Sequence, residues 1–121
     1  MSVSIIVATG VTAFIAVLEE YGAEPEAESG LVTYKITPVG GALAGRTFRT
    51  GVAAEEAAPW PAAPPHWIHL PASVTFRATN SRPSSKTGWT AHSRDIPAWG
   101  TATVPVAAWL AHVRGVLGDA G

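Results

Sequence analysis

The chain has 121 residues, a formal net charge of −1, 14% charged and 47% hydrophobic residues, and no cysteine. The missing thiol excludes disulfides, thiolate metal sites, iron–sulfur ligation and cysteine nucleophiles, and the near-balanced charge argues against a strong electrostatic footprint for nucleic acid. A single domain over residues 1–121 is expected from this length, with the five tryptophans supplying much of its core area.

The first 18 residues carry no side-chain charge. They lack a basic leading region and a convincing processing site and are marginal in length for a bilayer span, so a soluble, cytoplasmic protein without membrane association is expected. Val7, Val11, Phe14, Ile15, Leu18 and Tyr21 recur at the helical period and predict an amino-terminal helix that ends before Gly22, with Ser4 and Thr9 as candidate caps. Glu19, Glu20, Glu24, Glu26 and Glu28 then form an acidic stretch. Later, Arg77, Arg82, Lys86 and Arg94 give a basic bias broken by Asp95; the two regions read as solvated loops or as features that orient a partner.

Strands follow. Leu31 to Ile36 alternate as a strand with one covered face, and Pro38, Gly40 and Gly41 mark a turn. Further strands are predicted near Arg46 to Val52, at Trp67 to Leu70 and at Val74 to Ala78, which together make an antiparallel four-stranded meander. Between the second and third of these, Ala58 to Pro71 holds Pro59, Pro61, Pro64, Pro65 and Pro71. Prolines withhold backbone donors and restrict the residues before them, so this stretch is expected to cross the surface as a rigid segment anchored by Trp60 and Trp67.

Asn80 to Gly88 reads as a loop, and Trp89 to Trp99 is too irregular for a strand or helix assignment. A carboxy-terminal helix is predicted with Thr103 as cap, Pro105 in its first turn, Val106, Trp109, Leu110, Val113 and Leu117 on one face, and Gly118 as its stop. The fold class is therefore α+β.

Four histidines, His66, His69, His92 and His112, invite a metal assignment, but the prolines around His66 and His69 oppose a shared helix face and no local acidic pair completes a usual ligand set. No metal and no cofactor is expected, and Gly40, Gly41 and Gly45 lack the lysine and hydroxyl residue of a phosphate loop. His92, Ser93, Arg94 and Asp95 form the densest polar constellation. Neighbours in an extended chain point to opposite faces, so their adjacency makes no relay by itself. His92 is weighed as a structural hydrogen-bonding group, a recognition residue or a proton-transfer group; Arg94 is a candidate carboxylate fork, and Trp89 and Trp99 are weighed as core or as contact surface.

Taken in order, the amino-terminal helix, the meander, Pro64 and Pro65 before "HWIHLP", the polar loop, and Gly88, Trp89, His92, Ser93, Arg94 and Trp99 ahead of a final helix resemble the ubiquitin-conjugating-enzyme superfamily. The resemblance is greatest to the bacterial proteins grouped as prokaryotic relatives of those enzymes, and it covers about residues 7–118. It implies a ubiquitin-conjugating-enzyme-like α+β domain. Enzymes of that superfamily carry a ubiquitin-like protein on a cysteine, and this chain has none. The resemblance therefore implies a noncatalytic variant, a pseudoenzyme or scaffold whose partner is a ubiquitin-like modifier, its activating protein or another pathway protein, with Trp89, His92, Arg94 and Trp99 as candidate contacts. Asn80 lies where the family's amide-stabilising asparagine is expected. An acyl-transfer or hydrolytic enzyme centred on His92, with a distant acid or serine, and a structural subunit of an oligomer are the alternatives.

Overall fold

The computed structural model describes residues 9–77 and 80–120. Helix α1 (Gly10–Glu20) is followed by strands β1 (Glu26–Glu28), β2 (Leu31–Ile36), β3 (Phe48–Ala53), β4 (Trp67–Pro71), β5 (Ser81–Pro83) and β6 (Trp89–Ser93), then by helix α2 (Pro105–Gly118). The strands form one six-stranded antiparallel sheet in the order β1-β2-β3-β4-β6-β5. The α+β class and both terminal helices are as expected from the sequence. The four-stranded meander is corrected to six strands.

Helix α1 closes in the way its composition dictates. Gly22 adopts φ +73° and donates to the Glu19 carbonyl, while the Ala23 N–H reaches back to Leu18 at 2.9 Å. This paired return satisfies carbonyls that the helix end would leave open, and glycine takes the left-handed conformation at little cost. Thr9 occupies the cap position but makes no side-chain capping bond; Ser4 and Val7 lie outside the described residues. Helix α2 presents Val106, Trp109, Leu110, Val113, Val116 and Leu117 to the core. Its cap is Val104, not Thr103, and Gly118 is its last residue rather than a stop outside it.

Both helices cover one face of the sheet. That face carries Val32, Tyr34, Ile36, Val52, Ile68 and Leu70, which pack with Phe14, Leu18 and Trp109. An aromatic chain ties the elements together: Phe14 lies 4.9 Å from Trp60, and Trp60 lies 5.4 Å from Trp99. Trp99 Nε1 donates to the Pro61 carbonyl at 2.9 Å. The proline-rich segment is thus anchored inward at Trp60, which is buried, and enters β4 through the buried Pro65. Pro59 is exposed, Pro61 and Pro64 are half-buried, and the Trp60–Pro61 bond is cis.

The other face was expected to be open at Leu31 to Ile36, yet only Lys35 of β2 is exposed. Side chains cover Thr33: Arg49 Nη2 donates to its Oγ1 at 3.0 Å, and that hydroxyl donates to a Glu28 carboxylate oxygen at 3.5 Å. The Ser85 hydroxyl donates to the Ser29 carbonyl at 2.7 Å and Lys86 Nζ lies 3.3 Å from a Glu28 carboxylate oxygen. These contacts link the chain beside β1 to the chain beside β5, the two edge strands, and one cross-strand row is buried in its middle. The row runs Glu26, Thr33, Gly51, His69, Ala91, Arg82.

Three further expectations change. Val74 to Arg77 is no strand, and Ala78 lies outside the described residues. Ser81–Pro83, within the predicted loop, pairs with β6, because an edge position tolerates a proline that a central strand would reject. Trp89–Ser93 is regular and sits between β4 and β5. Among the described residues, no helix is long and apolar enough to cross a membrane.

The turn after β2 contains a glycine with no substitute. Gly41 has φ +80°, and a Cβ there would overlap the Gly118 carbonyl at the end of α2. Gly41→Ala is expected to cost about 2 kcal/mol, the surface turn yielding part of the clash by shifting. Urea denaturation of the two proteins checks this, and equal midpoints would show that the approach to α2 is not held in solution.

Candidate functional site

The polar constellation predicted around His92 divides between the two faces of the sheet. His92 is opposite Ile68 and Ser81, so its ring lies on the helix-covered side, buried, with the Phe76 ring 4.8 Å away. Burial, and then Arg94, hold its pKa below the ordinary histidine range. Arg94 stacks its guanidinium 4.9 Å from the Phe76 centroid and donates to the Ser93 carbonyl. Trp99 is half-buried against Trp60, and Trp89 is half-buried with the Lys86 ammonium 5.5 Å from its ring. The four candidate contact residues therefore do not form one surface.

Ser93 is opposite Trp67 and faces the helix-free side. It meets a histidine that sequence spacing did not connect to it: His66 Nε2 is hydrogen bonded to Ser93 Oγ, while His66 Nδ1 lies 3.2 Å from Asp95 Oδ1. His66 directly precedes β4, outside the regular pleat, which lets its ring turn across the end of β6. Its backbone is held twice, by donation of its N–H to a Glu56 carboxylate oxygen at 3.1 Å and by acceptance from the Arg94 N–H at 3.1 Å. The prolines at 64 and 65 fix the approach to it. Trp67 stands beside the group, its ring edge-on to His66 at 5.7 Å and covered by the Arg82 guanidinium at 4.0 Å. The only sequence signal for this meeting was the proline pair ahead of a histidine at a strand entrance; the partners lie 27 positions away for Ser93.

A second feature is an apolar groove of about 310 Å³ between α1 and the entry to α2. Ala13, Ala16, Val17, Trp60, Val104 and Val106 line it, with Tyr21 and Val104 about half exposed at 49% and 48% and Glu20 at the rim. The acidic stretch is partly neutralised within the chain: Glu24 pairs with Lys35, Glu26 lies 4.0 Å from Arg49, and Glu28 meets Lys86. The Lys35 ammonium beside Glu24 lowers the pKa of that carboxyl. Glu19 and Glu20 make no such pair among the described residues.

His69 and His112 belong to neither feature. His69 is buried with its Nδ1 2.8 Å from Ser84 Oγ, and His112 packs beside Trp109. Among the described residues no three histidine or acidic side chains cluster to hold a metal. Asn80 accepts the Ser93 N–H through its backbone carbonyl. Comparison with known proteins adds no relative: no family model, no curated protein and no solved structure matches the chain.

Proposed function

We propose that this chain is a ubiquitin-conjugating-enzyme-like domain that carries no modifier on a cysteine thioester and works by binding protein, as a docking module in a bacterial ubiquitin-like modification pathway. The element order supports the fold reading: an amino-terminal helix, an antiparallel sheet with a proline-rich crossing between β3 and β4, and a final helix on the same face as the first. The absence of cysteine supports the loss of thioester transfer.

The observation that carries protein binding is the groove between α1 and α2. Its lining is apolar, two of its large hydrophobic side chains stand half exposed, and its rim holds Glu20 with Glu19 one residue before it. Apolar surface of this kind persists where a partner covers it. The fitting occupant is a segment of a partner protein that inserts an aliphatic or aromatic side chain and sets a lysine or arginine against Glu20.

Calorimetric titration of the full chain with a purified ubiquitin-like modifier and its activating protein tests this. Saturable binding to one of them is expected, weakened at least about tenfold by Val104→Asp, since a charge buried in an apolar contact costs more than 1.4 kcal/mol. A folded chain that binds neither, or binding that Val104→Asp leaves unchanged, overturns the reading.

A further inference from the structure

We propose that Ser93, His66 and Asp95 form a serine-based acyl-transfer centre that hydrolyses small activated esters and thioesters, an activity separate from docking at the groove. One imidazole faces a hydroxyl through Nε2 and a carboxylate through Nδ1, at 3.2 Å on the Asp95 side. Serine nucleophiles need that arrangement, because a free hydroxyl holds its proton too tightly to attack at neutral pH; the imidazole accepts the proton and the carboxylate orients the ring and stabilises the imidazolium.

Hydrogen bonds to the main chain hold Ser93 and His66 in register. Ser93 is fixed on both sides, with its N–H donating to the Asn80 carbonyl and its own carbonyl accepting from Arg94. His66 is clamped by Glu56 and Arg94. The ordering cost of bringing hydroxyl and ring together is therefore met by folding, before any substrate arrives.

Trp67 and Arg82 define what can be bound. Trp67 is the cross-strand partner of Ser93, and Arg82, opposite Ala91, projects to the same face with its guanidinium on the Trp67 ring. A planar apolar wall with a cation on it suits a short acyl chain carrying a carboxylate or another anionic group. The side chains of His66 and Asp95 are 42% and 94% exposed, so the site is open to solvent and favours good leaving groups over peptide bonds.

In acylation, Ser93 Oγ bonds to the acyl carbon, the bond from that carbon to the leaving oxygen or sulfur breaks, and the hydroxyl proton passes to His66 Nε2 and then to the leaving group. Water next attacks the Ser93 ester and gives a proton to His66, which returns it to Ser93 Oγ as the carboxylic acid departs.

The test is phosphonylation of the full chain by a fluorophosphonate probe, read by intact mass and peptide mapping, alongside hydrolysis of p-nitrophenyl acetate. A single adduct on Ser93 is expected. Ser93→Ala abolishes both readouts, His66→Gln slows both by about 100-fold or more, and Asp95→Asn slows them less because its carboxylate is solvated. Ser84, bonded to the buried His69, is the internal control and remains unlabelled. Thermal unfolding confirms that each variant folds. An unlabelled wild-type protein, an adduct at another serine, or a His66→Gln rate equal to wild type overturns the proposal. None of these residues lines the groove, so that result leaves the docking reading standing.

Discussion

Trp109→Ala is expected to lower the unfolding free energy by about 4 kcal/mol, a large part of what a domain of this size has. Trp109 is completely buried on α2, within a cluster that includes Phe14, Tyr34 and Leu117, and its Nε1 donates to the Tyr34 hydroxyl at 2.8 Å. Truncation therefore opens a cavity and strips a buried hydroxyl of its donor. Burial also raises the Tyr34 pKa far above its ordinary value, against a smaller lowering by Trp109, which keeps the phenol neutral.

The two contributions are separable. Trp109→Phe retains most of the apolar volume but leaves the Tyr34 oxygen without its donor, at a cost of about 1–3 kcal/mol beyond the lost volume. Tyr34→Phe removes the other partner. Measured by urea denaturation, the double variant should cost less than the sum of the singles, by about 1 kcal/mol. Strict additivity would mean that packing alone holds α2 to the sheet.

The elements legible in the sequence are those whose pattern is set by one dominant face. The spacing of Val106, Trp109, Leu110, Val113 and Leu117 places α2 correctly because each of those residues is buried. The strand at Leu31–Ile36 is found for the same reason, although its second covered face is not, since there Thr33 meets the long charged side chains of Arg49 and Glu28, which a hydrophobic pattern does not record. Glu26–Glu28 and Ser81–Pro83 have no strand composition at all; pairing with β2 and β6 makes them strands. Val74 to Arg77 has the residues of a strand but no place beside β4, whose two flanks are taken by β3 and β6.

The candidate site was legible only in part. Ser93 and Asp95 lay inside the polar run singled out from the sequence, but the histidine next to them proved to face the helices. Alternation along β6 carries His92 and Ser93 to opposite sides, so the histidine for Ser93 had to come from another strand's entrance. His66 could not be placed there without knowing that β4 pairs with β6. Trp99 shows the converse: a tryptophan read as a candidate contact is committed to Trp60 and Pro61.

Stability should fall as the pH drops from about 6.5 to about 4, and His69 is the principal cause. It is 4% exposed, its Nδ1 meets Ser84 Oγ, and its Nε2 has no hydrogen-bond partner among the described residues. Burial first, then the positive charge of Arg82 and the neighbouring His92, push its pKa down to about 4. The unfolded histidine titrates near 6.5. Between those values the unfolded chain binds a proton that the native chain refuses, so protons favour unfolding; the native advantage is complete above about 6.5 and is lost progressively below it. The shift amounts to about 3 kcal/mol across the window. His92 and His112 act in the same direction, each lowered first by burial and then by Arg94. The lowered carboxyl of Glu24 contributes in a lower range, beneath the ordinary glutamate value of 4.5, and so does not account for a loss that begins near neutrality. Urea denaturation at pH 7.5 and 4.5 measures the difference. His69→Gln, which cannot take up a proton, should shrink it by more than half, even if the variant is somewhat weaker at pH 7.5. A pH dependence equally steep in His69→Gln would move the acid sensitivity to the helix-side histidines, and a flat profile in the wild-type chain would show that His69 is hydrated in solution.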